Sequence, residues 1–339
     1  MSVISVSHKD IPPFSLFKPS FPKVIDASMR ETWAACPMQF AWRYIFGWMP
    51  LGVSVDLHAG KAFAAGMEAA RRAFYLFEAS QDEAIGIGAK ALIKSYGEYE
   101  PPEGHPKTCE NLLCALDYAL SEAWPLETDT LVPMTTIFSA DKGLEFSFAL
   151  ETTAKHPETS DTILYAGRFD MIGNLGGTLW VVDDKTAQRL GQPWRRQWDL
   201  RGQFTGYVKA ALDYGYNVTG VLVRGVSILK YSHGHEQVMT YRPQWLVDLW
   251  WDQLQSEIAD MLFYYDACVS LWHRADDAYL THVFKRAFGS ACSAYSGCPY
   301  KDLCSTQEPQ NWVKGNYVKG HWDPITGTET IEAEETAHE

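Results

Sequence analysis

No stretch of about 18 consecutive apolar residues occurs in this 339-residue chain, and its opening, MSVISVSHKDIPPF, lacks the charged-then-apolar plan of a signal peptide. These absences predict no membrane span, and the chain reads as cytoplasmic. Basic charge is also scarce. The formal net charge of −13 excludes a protein coated in basic surface, the kind that favours nonspecific nucleic-acid binding, so any polyanion has to be gripped locally. No internal repeat is visible, and the closely spaced cysteine pairs of common zinc sites are missing from the C-terminal cysteine cluster.

What is present is enough apolar material for a sizeable core: 46% hydrophobic and 14% aromatic residues suit one large domain or two small ones. Seven cysteines in a cytoplasmic chain point to metal or redox chemistry, or to buried thiols, more than to disulfides. Cys292, Cys298 and Cys304 crowd one segment, while Cys36, Cys109, Cys114 and Cys268 are scattered, the last three reading as core. One local basic window exists, where Lys185, Arg189, Arg195, Arg196 and Arg201 interleave with Trp194 and Trp198. Taken alone, it reads as a solvated loop and helix face.

Residues 1–24, rich in Pro and Ser, read as an irregular arm. Asp26-Ala27-Ser28 is a helix start for MRETWAACPMQFAWRYIFG, a helix that would carry Cys36. Helical spacing continues from Gly60 to about Glu98 and over 110–124, so residues 25–130 are expected to be a helical region. The period then changes to two over 144–150, 162–175, 178–185 and 220–229, with a helix between Asp199 and Tyr214, which makes 131–242 a sheet-containing core. A long aromatic helix over 243–272, more a packing stripe than a base-stacking platform, opens a 243–312 segment expected to pack on that core with the clustered cysteines. Residues 313–339, ending ETIEAEETAHE, read as a mobile acidic tail.

Gly176-Gly177 between two strand patterns is a two-residue hairpin signal that pairs Leu175 with Thr178 and sets Asp170 opposite Asp183. Two carboxylates directly opposed on one sheet face repel unless something lies between them, and a divalent cation bridging their oxygens removes the conflict. Strand alternation puts Lys185 on the face of Asp183 and turns Asp184 to the other. The same register would set Arg168 against Lys185, so a bulge or strand end is expected near there.

The ordered set Gly167-Arg168-Phe169-Asp170, Val181-Val182-Asp183-Asp184-Lys185-Thr186, then Gln203 and Tyr207 as Q-x-x-x-Y, resembles the PD-(D/E)XK nucleases, in particular their RecB and Cas4-like branch. The resemblance implies an α/β fold with a mixed central β-sheet flanked by helices, restriction-endonuclease-like, with a helical N-terminal region and a C-terminal cysteine cluster. It implies a metal-dependent DNA nuclease, exonucleolytic or end-processing, using Mg²⁺ or Mn²⁺ at Asp170 and Asp183. Lys185 would orient or activate the attacking water, and Gln203 and Tyr207 would face the site from one side of a helix. Glu68 and Glu145 are further candidate ligands, Glu145 reading equally as a solvent-facing strand residue. Arg189, Arg195, Arg196 and Arg201 are candidate DNA contacts. The chain departs from the family pattern at Ala64, where a metal-binding histidine often falls, and His58 reads as a helix-start or surface residue rather than a replacement.

Cys36 with Cys292, Cys298 and Cys304 is similar to the ligand layout of a [4Fe–4S] cluster in Cas4-like and AddB-like nucleases, one cysteine N-terminal and three C-terminal. The first C-terminal spacing is five residues where the family usually has two. A four-cysteine Zn²⁺ site and plain buried thiols stay open. Two other functions also stand: a catalytically weak or inactive DNA-binding or recombination accessory protein of the same fold, and a zinc protein in which the carboxylates are incidental.

Overall fold

The computed structural model describes residues 15–52, 54–134, 143–274, 279–293 and 297–331. In chain order the strands are β1 (Val24–Ile25), β2 (Trp48–Pro50), β3 (Leu131–Pro133), β4 (Leu144–Lys155), β5 (Thr162–Leu175), β6 (Thr178–Ala187), β7 (Val218–Ile228), β8 (His233–Tyr241), β9 (Tyr317–Asp323) and β10 (Thr328–Ile331). The longer helices are α1 (Ala27–Ala35), α2 (Val55–Phe77), α3 (Gln81–Tyr96), α4 (Cys109–Tyr118), α5 (Gly202–Asp213) and α6 (Gln244–His273). A mixed seven-stranded sheet runs β1-β5-β6-β7-β8, with β3 and β4 also on β5. The β5–β6 and β7–β8 pairs are antiparallel, and β6–β7 is parallel. This is the expected mixed α/β architecture.

The chain divides into two compact units, one of Met1–Gly52, Ala149–Ala166 and Asp252–Glu339, the other of Val53–Phe148 and Gly167–Trp251. These units cut across the serial boundaries expected from the sequence, because β4, β5 and α6 each contribute residues to both.

In the second unit, α2, α3 and α4 pack through Phe63, Met67, Leu92, Leu112 and Leu116, with Val226 and Ile228 of β7 beneath them. The helices approach closely at Gly66 and Gly88, where a Cβ on Gly88 would lie 2.6 Å from the Gly66 carbonyl. The helical pattern over 60–98 is therefore two helices. Glu78 takes a left-handed conformation, and Ser80 starts α3 with a capping box to Glu83.

In the first unit, α1 begins where the Asp26 carboxylate accepts from the Met29 amide at 2.7 Å. The helix expected to carry Cys36 stops before it. Cys36 is extended, between the end of α1 and a short turn opened by Pro37, because proline disfavours helical geometry in the residue before it. The acidic tail expected from 313 is likewise corrected over 317–331. There β9 pairs antiparallel with β10 and β2, and its Tyr317 is buried. Residues 332–339 of that tail, and 1–14 of the expected arm, lie outside the described residues.

Candidate active site

The β5–β6 hairpin has the register its turn dictates, Leu175 on Thr178 through Met171 on Val182, with Gly176 and Gly177 both at positive φ. The ladder ends one pair short of the two aspartates. Beyond it, the Asp184 amide donates to the side chain of Asp170, at 2.6 Å from Oδ2. From Val181 to Ala187, β6 continues along β7, which carries Asp183, Asp184 and Lys185 past the end of the hairpin.

Asp170, Asp183, Lys185 and Tyr207 line one cavity of about 410 Å³, together with Glu145, Arg168, Asp184 and the α2 residues Leu57, Lys61, Ala64 and Arg71. Asp183 is buried, and Lys185 Nζ lies 2.5 Å from its Oδ2, an oxygen with no well-directed hydrogen bond. Burial raises both aspartate carboxyls above the usual range. At Asp170 the charge of Asp183 adds to burial and the rise is large, whereas at Asp183 the Lys185 ammonium opposes it. Burial works against the charge of Lys185, but Asp183 and Asp170 outweigh it and its pKa is raised. The ammonium also stands 5.8 Å from the Phe204 ring centroid.

Glu145 has the left-handed backbone angle φ 50° and lies 3.1 Å from Arg168 Nε. Burial, then the nearby Glu68 carboxylate, pushes it up to about 7. Glu68 itself pairs with Arg72 at 3.0 Å and does not line the cavity, nor does Gln203, which donates to the Tyr207 hydroxyl at 2.8 Å. The glycine of the Gly167-x-x-Asp170 motif has a steric reason. A Cβ there would sit 2.8 Å from the Phe148 ring, which stands edge-on to Tyr207.

His58 stays out of the cavity, its Nε2 2.8 Å from the Tyr96 carbonyl and its ring against Tyr99. Ala64 does line it, so α2 brings no ligand at that position. What α2 does bring is Arg71, which the sequence pattern does not single out. Its buried guanidinium makes an ion pair with Asp184. One of two adjacent arginines in an amphipathic helix, Arg71 gives no warning of this partner 113 residues away.

Beyond Lys185 in β6, the basic window runs through a short helix, Gln192–Arg196, anchored from below. Trp194 packs on Gly225, where a Cβ would collide with its ring, and Trp198 is also buried. Glu236 of β8 accepts from the Gly191 amide at 2.7 Å and pairs with Arg195. Arg189, Arg195, Arg196 and Arg201 are exposed, and the charge of Arg201 is felt at both Asp183 and Lys185.

Among the described residues no three His, Cys, Asp or Glu side chains form a ready-made metal-binding group. The donor set nevertheless fits a hard divalent cation. Asp170 and Asp183 are buried carboxylates that repel each other, and the Glu145 carboxylate lines the same cavity. A second cavity, of about 380 Å³, is lined by Cys36, Cys292, Cys298 and Cys304. The Cys298 amide donates to the Cys292 carbonyl at 3.1 Å. Burial raises the Cys298 thiol, with Cys304, Cys36 and Cys292 adding to the rise. Four thiols around one cavity suit a soft metal centre.

No helix of the described residues is long and apolar enough to cross a membrane. No curated protein matches the chain significantly. A solved structure described as "Crystal structure of SSO0001" is similar at 11% identity over 59% of this chain and 74% of that chain, with a TM-score of 0.25, too low to bear on fold or function. The model of the PD-(D/E)XK nuclease superfamily matches residues 27–305. With that match over the strands that carry Asp170, Asp183 and Lys185, the chain belongs to the PD-(D/E)XK nuclease superfamily.

Proposed function

We propose that the protein is a metal-dependent deoxyribonuclease of the RecB and Cas4-like branch, acting on DNA ends. The observation that carries this reading is the buried Asp170 and Asp183 pair with Lys185 against Asp183 in one cavity, with the charge of Arg201 felt at Asp183 and Lys185. Asp170 and Asp183 would hold Mg²⁺ or Mn²⁺, with Glu145 as a further candidate carboxylate lining the cavity. The cation, when bound, polarises a phosphoryl oxygen and eases deprotonation of the attacking water. Lys185 places a fixed positive charge beside the carboxylates, where it orients the water and offsets charge that builds up on the phosphate. Tyr207, steadied by Gln203, presents its hydroxyl group on the helix side of the cavity. Arg189, Arg195, Arg196 and Arg201 hold the phosphate backbone, which lets an acidic protein bind DNA locally.

The test is incubation of anaerobically purified protein with end-labelled linear DNA, single- and double-stranded, in Mg²⁺, Mn²⁺ or EDTA. Cleavage is expected with either metal and none with EDTA. Asp183→Ala should abolish it and Lys185→Ala lower it by about 10²–10³-fold. Full activity in folded Lys185→Ala would sink the reading. Binding without cleavage in any metal would favour an accessory protein, with Ala64 in the cavity as the reason.

For the cysteines we propose a structural [4Fe–4S] cluster on Cys36, Cys292, Cys298 and Cys304, supported by their shared cavity. Broad absorbance near 400 nm, roughly where iron–sulfide charge transfer falls, is expected of the anaerobic protein. Stoichiometric zinc without that absorbance would replace the cluster by a four-cysteine zinc site.

A further inference from the structure

Asp183 and Asp184 are adjacent, yet the structure gives them different partners. Asp183 faces Lys185, whereas both carboxylate oxygens of Asp184 are taken by Arg71, one at 3.2 Å from Nη2 and the other by Nη1. Both side chains of this second pair are buried, at 5% and 8% exposure. The main-chain amide of the same Asp184 donates to Asp170 at 2.6 Å. One residue of β6 is thus held at its side chain by α2 and, through its backbone, holds the Asp170 carboxylate of β5.

We infer that Arg71 is a positioning residue for the metal site, fixing Asp184 so that its amide orients the Asp170 carboxylate toward the cation. The inference rests on the metal-site reading above and deepens it. It makes Asp184 an anchor rather than a ligand, since its two oxygens are occupied. It also assigns α2 a role in a chain whose α2 offers Ala64 to the cavity: Arg71 lies seven residues further on, two turns along the same face. An arginine serves where a lysine would not, because only the planar fork reaches both oxygens at once.

Removing one member of a buried ion pair destabilises strongly, whereas replacing both with apolar residues is often neutral or stabilising. This separates positioning from charge balance. Mn²⁺ binding to the full-length chain, followed by electron paramagnetic resonance, is compared in the wild type, Asp170→Asn, Arg71→Lys, Arg71→Met and the double variant Arg71→Met/Asp184→Leu, with melting of the metal-free proteins alongside. The wild type should bind and Asp170→Asn should not; absence of that contrast overturns the metal-site reading and this inference with it. Given the contrast, Arg71→Met and the double variant should each bind Mn²⁺ at least tenfold more weakly, with an altered spectrum of the bound ion. The double variant should nonetheless melt near the wild-type temperature. Arg71→Lys should fall between, restoring the charge without the fork. Wild-type affinity in the double variant would overturn the inference alone, and it decides the matter even if Arg71→Met fails to fold.

Discussion

Asp170 and Glu145 each hold a proton more tightly than a free carboxyl, Asp170 because burial and then Asp183 disfavour its charge, Glu145 because burial and then Glu68 push it up to about 7. For such groups the folded, metal-free protein binds protons better than the unfolded chain, so their contribution to stability is full below about pH 4 and is lost as the pH rises through the folded pKa, which for Glu145 is about 7. A divalent cation removes that penalty by pairing with the charged form. The stabilisation by Mg²⁺ should therefore grow between pH 5 and pH 8, and Asp170→Asn should flatten the trend. Differential scanning fluorimetry with and without Mg²⁺ across that range checks it; an increment independent of pH would mean that these carboxyls do not receive the ion.

The crossing of α2 and α3 depends on two residues without side chains where the helices meet. Gly88→Val would drive branched carbons into the Gly66 carbonyl and the Ala70 Cβ, and should destabilise the protein by about 1–3 kcal/mol in urea denaturation. The crossing is not legible in the sequence, and the break at Glu78 is signalled only by the Ser80-x-x-Glu83 capping pattern that follows it. A continuous apolar spacing over 60–98 looks the same whether one helix or two carries it. The β5–β6 hairpin is legible because Gly176-Gly177 fixes the register within two residues, and Asp170, Asp183 and Lys185 inherit their places from it. Gly167 is readable as a motif, though its cause, the Phe148 ring, belongs to another strand. Arg71, the β8 edge with Glu236 and the β9–β10 hairpin are not readable. Each owes its position to partners distant in sequence, and the polar residues of 317–331 resemble a solvated tail until β2 pairs with them.

At the scale of the whole molecule, a net charge of −13 repels DNA, so in the proposed function binding would rest on the exposed Arg189, Arg195, Arg196 and Arg201. Replacing Arg189 and Arg196 with glutamine should weaken binding of all sequences alike and make the slope of log affinity against log salt shallower by about one for each phosphate left unneutralised, measured by anisotropy in EDTA. An unchanged slope would move the DNA path elsewhere.

The discontinuous first unit has a consequence for biosynthesis. The unit ending at Trp251 is complete in sequence before the last part of the chain is made, whereas the segment with Cys36 must wait for partners such as Lys285, 249 residues later. At about 5–20 residues per second, that wait on the ribosome is on the order of 10–50 seconds. Throughout it the Cys36 thiol and the apolar side of α1 lack their C-terminal partners, so the proposed cluster could be loaded only once Cys304 has been made.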